Sequence, residues 1–156
     1  MKITLIVTGK TVSPEVKSIC SDYASRISRY AKFEELVIDN GAVKLTVAAK
    51  IKQREGELLL KKVSNTDYVV LLDENGKEYT SVEFAKWMEG IFTKGLKNIC
   101  FVVGGAYGFS DEVYKRANAK VSLSRMTCNH QLIRAVFCEQ LYRTFTILNK
   151  EPYHHQ

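Results

Sequence analysis

At 156 residues, 46% hydrophobic and 26% charged, the chain can bury one core and is too apolar for intrinsic disorder. No apolar run approaches the roughly 18 residues of a membrane span, and the start lacks the pattern of an export signal, so a cytoplasmic domain without membrane attachment is expected. The net charge of +6 is unevenly spread: residues 115 to 150 carry seven Lys or Arg against one acid, and residues 66 to 114 four against eight. Charge alone leaves two readings of the basic third, a solvated face or a surface that follows nucleic-acid phosphates. Cys20, Cys100, Cys128 and Cys138 show no C-x-x-C spacing, and the three histidines form no H-x-x-x-H pair, so reduced structural thiols and no metal are expected.

In chain order, "KITLIVTG" reads as an apolar strand. A helix follows with Ser13 as N-cap, Pro14 at its first position and Val16, Ile19, Cys20, Tyr23 and Ile27 on one stripe. "FEELVID" is a second strand, and a charged helix is expected from about Leu45 to Val63. "DYVVLLD" is a buried third strand, ending at Leu72 and Asp73 in the loop "ENGK". Asn75-Gly76 could mark a hairpin, but no alternating strand follows. Instead Thr80 and Glu83 form a capping box ahead of Phe84, Trp87, Met88 and Ile91, a helix running toward Gly95. "NICFVVGG" is a fourth strand, "SDEVYKRAN" a short helix capped by Ser110, "KVSLS" a fifth strand, and "HQLIRAVFCEQLYRTFTILNK" a long helix ended by Pro152. Strands alternating with helices predict a single α/β domain with a mostly parallel five-stranded sheet covered on both faces.

The last helix carries two apolar stripes. Leu132, Ile133, Val136, Phe137, Leu141, Phe145 and Leu148 form one, and Ala135, Cys138 and Tyr142 the other. Either the helix is deeply buried in the monomer or its second face meets another subunit in a symmetric dimer; the dimer is the favoured expectation.

"FVVGGAYGF" leads from the fourth strand into a turn with Gly104, Gly105 and Gly108. The spacing G-G-x-x-G, without a later acidic residue, does not fit dinucleotide binding, and Phe109 stands where a Walker loop needs lysine. Ligands in parallel sheets sit beyond the carboxyl ends of strands. This turn, "LLDENGK" and "SLSRMTCNH" all leave strand ends, and together they describe an adenosine pocket better than a phosphate cradle. Taken singly, the glycines could serve only a tight turn, and Ser124 and Thr127 are more often capping residues than ligands.

The segments "LLDENGKEYTSVEFA", "FVVGGAYGFSDEV" and "VSLSRMTCNHQLIRAVFCEQLYRTFTI" and the closing "PYH", in this order and spacing, resemble the RlmH family of SPOUT-class methyltransferases. The resemblance covers essentially the whole chain. It implies a deep C-terminal trefoil knot, with knot and cofactor site in about residues 70–156 of one domain spanning 1–156, and a homodimer packed partly through the final helix. It implies S-adenosylmethionine as cofactor, held by Leu72, Gly104, Leu123, Ser124, Arg125, Met126, Thr127 and Cys128. It further implies N3-methylation of a pseudouridine in large-subunit ribosomal RNA within the ribosome. Ala106 and Gln131 stand where such sequences commonly have proline, and His155 where a basic residue often follows the tail histidine.

The chemistry narrows the catalytic candidates. An imide nitrogen is poorly nucleophilic until its proton leaves, so the site needs a proton acceptor or positive charge near the base. His130, Arg134, Tyr153 and His154 are the expected residues, with His155 as a further candidate. The rival readings are a non-catalytic ribosome-binding factor with an architectural glycine turn, and a nucleotide-dependent enzyme, which the absent phosphate motifs disfavour.

Overall fold

Five short apolar segments alternate residue by residue between two cores, which is why they form one sheet. In the computed structural model, which describes residues 1–39 and 47–155, these are β1 (Lys2–Thr8), β2 (Lys32–Ile38), β3 (Tyr68–Glu78), β4 (Asn98–Val103) and β5 (Ala119–Ser122). All pair in parallel, in the order β2-β1-β4-β3-β5. Ile3, Leu5 and Val7 of β1 face one core with Ile99, Phe101 and Val103 of β4; Ile6, Cys100 and Val102 face the other. That is the period of two expected of strands covered on both faces.

The first core is closed by α1 (Pro14–Ile27), α3 (Ser81–Phe92) and α5 (Leu132–Leu148), the second by α2 (Ala48–Lys62) and α4 (Asp111–Arg116). Three helix starts follow the sequence closely. Ser13 Oγ accepts from the Val16 amide and Ser110 Oγ from that of Val113. The Thr80–Glu83 box is complete in both directions, at 3.2 and 2.7 Å. The expected start of the second helix near Leu45 lies outside the described residues; its end, Lys62, is one residue short of the expected one. The last helix begins at Leu132 rather than His130 and stops at Leu148, before Pro152. Lys150 then takes a left-handed backbone, with φ 56, and the Glu151 amide bonds back to the Thr146 carbonyl.

One expectation fails: "ENGK" does not end the third strand. β3 continues to Glu78, and its register against β5 slips so that Leu72 and Lys77 both pair with Val121. Residues 73 to 76 are thus pushed out of the ladder as a wide bulge. Gly76 explains how: a Cβ there would lie 2.7 Å from backbone atoms of Lys120 and Val121, so the β5 backbone passes where a side chain would stand.

Burial against α1, α3 and the sheet accounts for most of the double stripe on α5. Ala135, Phe137, Cys138, Leu141 and Phe145 are buried within the subunit, and the Phe137 ring sits 4.7 Å from that of Phe101. Leu132 and Val136 remain exposed. The four cysteines are free thiols, three of them buried. Among the described residues no helix is long and apolar enough to cross a membrane, and no group of three or more His, Cys, Asp or Glu could hold a metal.

Candidate active site

The bulge within β3 and the carboxyl ends of β4 and β5 open into a cleft of about 690 Å³. Its walls are the β3 bulge from Leu72 to Asn75, the turn from Val103 to Phe109, and the segment from Leu123 to His130. These are the three strand-end loops singled out from the sequence. Of the expected cofactor residues, Leu72, Gly104, Leu123, Ser124, Met126, Thr127 and Cys128 line this cleft. Arg125 does not; its side chain, 80% exposed, lies 3.5 Å from Glu78.

The glycine turn is closed by a hydrogen bond from the Gly108 amide to the Gly105 carbonyl at 3.1 Å, with Gly108 at φ 80. The turn is therefore closed with Ala106, and not proline, at its corner. A Cβ on Gly104 would meet the Phe109 ring at 3.1 Å. A side chain there would therefore press first on the wall behind the turn. A Cβ on Gly105 would fall 2.5 Å from Glu55 Oε2.

The β5–α5 segment is held by its own small polar groups. Ser122 Oγ donates to the Ser124 carbonyl at 2.9 Å, and Ser124 Oγ accepts from the Met126 amide at 3.0 Å. Thr127 Oγ1 donates to Glu74 Oε2 at 3.0 Å, fastening this segment to the β3 bulge. The Tyr114 hydroxyl donates to Asp73 Oδ2. Burial and then that carboxylate push the Tyr114 phenol up to about 12, which keeps it a donor. The Thr127–Glu74 and Tyr114–Asp73 links were not legible in the sequence, since each joins distant segments.

In a chain of net charge +6, this cleft is acidic. Among the described residues, Asp73, Glu74 and Asp111 line it against one permanent cation, Lys52. Such a wall attracts a cationic ligand and repels a polyphosphate.

His130 lines the cleft where it meets α5. Arg134, one turn later, is 0% exposed and is absent from the lining. Its guanidinium donates to the carbonyls of Thr8, Gly9 and His130 and to Thr11 Oγ1, at 2.9 to 3.1 Å. It fixes the strand-end loop of β1 and the backbone of His130, so its geometry is that of a positioning residue. Gln131 works beside it: Oε1 accepts from the Val12 amide at 2.9 Å and Nε2 donates to the Lys10 carbonyl at 3.1 Å. A proline at this position could make neither bond.

The tail folds back along the second half of α5, away from the cleft end. The Tyr153 hydroxyl bonds Glu139 Oε1 at 3.1 Å and the Tyr23 hydroxyl at 3.0 Å, and the Arg143 guanidinium lies 4.7 Å from its ring centroid. Arg143 Nη1 is 3.1 Å from His154 Nδ1. Arginine only donates, so Nδ1 accepts and the buried, unpartnered Nε2 carries the ring proton. Eleven residues of helical rise, about 17 Å, separate Leu132, at the start of α5, from Arg143, and neither Tyr153 nor His154 lines the cleft. Within one subunit, therefore, Tyr153 and His154 are not gathered with His130 at the cleft. Among the described residues, His155 has no hydrogen bond or ion pair that would define a role. Glu55, Tyr114 and Glu139 were missed from the sequence; only the i, i+4 spacing of Glu139 and Arg143 hinted at their 2.5 Å ion pair.

Sequence comparisons place this architecture. The family described as "Predicted SPOUT methyltransferase" matches residues 1–154. The chain belongs to the SPOUT methyltransferase family. It is 49% identical to a protein of Christiangramia forsetii, 48% to one of Flavobacterium psychrophilum and 50% to one of Parabacteroides distasonis, each match covering all of both chains. All three relatives are named "Ribosomal RNA large subunit methyltransferase H". The SPOUT fold implies the deep C-terminal knot, and the passage of β5 over Gly76 lies in the segment concerned. As a SPOUT methyltransferase, the chain needs a methyl donor, and the cleft of about 690 Å³ walled by the three loops has room for one.

Proposed function

We propose that the protein is a cytoplasmic homodimer that transfers the methyl group of S-adenosylmethionine to N3 of a pseudouridine in large-subunit ribosomal RNA. The observation that carries the cofactor reading is the acidic strand-end cleft in an otherwise basic chain, because S-adenosylmethionine bears a net positive charge. The substrate class follows the names of the full-length relatives. Lys120, over the Tyr114 ring, and the exposed Arg125, beside Glu78, supply cations near the cleft segment for RNA phosphates. A domain of this size is suited to recognising the shape of a ribosomal site.

Leu72, Gly104 and the segment from Leu123 to Cys128 would hold the cofactor through backbone groups and small side chains. When bound it supplies an activated methyl group on a sulfonium. The residues of the chain then have two tasks: to align the base, and to receive the N3 proton. His130 is the cleft imidazole placed for the proton, and Arg134 holds its backbone. His154, with its proton on Nε2, is a donor that can stabilise an imide oxygen as negative charge develops.

The tail reaches the cleft only from a second subunit. Val12, Leu132 and Val136 are exposed apolar residues at the cleft end of α5. An antiparallel pairing of two such helices covers them and brings the partner's tail to this cleft. Two experiments test the reading. Calorimetry with S-adenosylmethionine should show saturable binding, and mass spectrometry of ribosomal RNA from a deletion strain should show loss of one methyl on one modified uridine. Absence of binding would refute the cofactor assignment.

A further inference from the structure

Behind the glycine turn, on the side away from the cleft, lies a second cavity of about 10 Å³, lined by Lys52, Glu55, Gly104, Gly105 and Ser110 among others. Gly104, Gly105 and Lys52 belong to both cavities. Glu55 reaches in from α2, and its Oε2 and Oε1 lie 2.5 and 2.9 Å from the point where a Gly105 Cβ would stand. The carboxylate therefore rests on the bare backbone of the turn. Its Oε2 is buried and has no hydrogen-bond partner.

A carboxylate with one oxygen buried and without a partner costs stability, so its retention calls for another reason. The charged and titratable groups around it are few. Lys52 stands one turn earlier on α2, and Asp73, Glu74, Asp111 and His130 face the cleft beyond the turn. The other side chains of the small cavity, from Thr8, Ile38, Leu59, Phe109, Ser110 and Val113, are uncharged. Neither Lys52 nor any other cation forms an ion pair with Glu55 among the described residues, so its field reaches through the glycine turn.

We propose that Glu55 is a specificity-determining residue that makes the cleft hold the cationic sulfonium cofactor more tightly than the neutral thioether product. This rests on the S-adenosylmethionine reading. Methyl transfer removes the charge on sulfur and leaves the rest of the ligand unchanged. A fixed negative charge next to the cleft therefore discriminates between the two states without touching either. Gly105 lacks a side chain because Glu55 fills that space. Burial raises the Glu55 carboxyl above its ordinary range, so the preference should weaken as acid protonates it.

The test is calorimetry of the full chain with S-adenosylmethionine and with S-adenosylhomocysteine, on the wild type, Glu55→Gln and Glu55→Asp. The expected result for Glu55→Gln is a preference reduced on the order of tenfold, through weaker S-adenosylmethionine binding at unchanged S-adenosylhomocysteine affinity. Glu55→Asp, which keeps the charge, should retain most of the preference. As the pH is lowered, the wild type should begin to lose the preference at a higher pH than Glu55→Gln, in which only the ordinary cleft carboxylates remain to be protonated. Equal weakening of both ligands, or an unchanged ratio, overturns the proposal. If the wild type binds neither ligand, the cofactor reading itself fails, and this inference with it.

Discussion

Arg134 Nη1 donates to the Gly9 carbonyl at 2.9 Å, joining the start of α5 to the carboxyl end of β1. Three hydrogen bonds from one buried guanidinium tie together segments more than a hundred residues apart, and a fourth holds the His130 carbonyl. Replacing Arg134 by Ala leaves those carbonyls unpaired, and the expected loss is about 3 kcal/mol. Arg134→Lys, a point charge without the planar fork, should recover only part of it. Urea unfolding measures both; a loss below about 1 kcal/mol in Arg134→Ala would contradict the positioning role.

Gln131→Pro restores the residue common in resembling sequences and removes both bonds to the Lys10–Val12 loop. It also removes the Gln131 amide, which donates to Asn129 Oδ1 at 2.7 Å. The expected cost is about 1 to 2 kcal/mol, read as a lower melting temperature.

Gly104→Ala should weaken cofactor binding through Phe109. The new methyl meets the ring at 3.1 Å, so the turn or the ring must shift. Phe109→Leu in the same chain should restore most of the affinity lost. If the double variant binds no better than Gly104→Ala alone, the obstruction lies in the cleft.

Subunit mixing tests the composite site. His130→Ala and His154→Ala homodimers are each expected to lose about 100-fold in methyl transfer while keeping cofactor affinity. If the tail acts across the dimer, mixing the two inactive proteins forms heterodimers with one intact site, and activity returns. No recovery after verified subunit exchange would place both histidines in the same subunit's reaction.

Two phenols should titrate late. Tyr30 is pushed up to about 12, first by its hydrogen bond to Glu151, and Tyr114 to about 12, first by burial. Raised values favour the protonated form in the fold. Their stabilisation is thus complete below the ordinary value near 10 and lost as pH rises toward 12. Tyrosinate absorbance should show Tyr30→Phe and Tyr114→Phe each deleting one late-ionising phenol, and wild-type unfolding free energy should fall over that same alkaline interval.

What the sequence determined by itself was local. Ser13, Thr80 and Ser110 start their helices through bonds reaching three residues ahead, and alternating apolar residues mark strands covered on both faces. Those signals are short-range, so element order, sheet class and the strand-end loops of the cleft were all legible. Tertiary structure decided the rest. The strand β3 runs past "ENGK" because β5 pairs with its far end, a contact made more than forty residues away. Arg134 changed from a candidate at the reaction to a buried clamp because its acceptors are carbonyls of β1 and its loop. Tyr153 and His154 lie far from His130 in one subunit because the helix between them is rigid and has a fixed rise per residue. Glu55 carries no motif at all; only the packing of α2 behind a glycine turn brings its charge to the cleft wall.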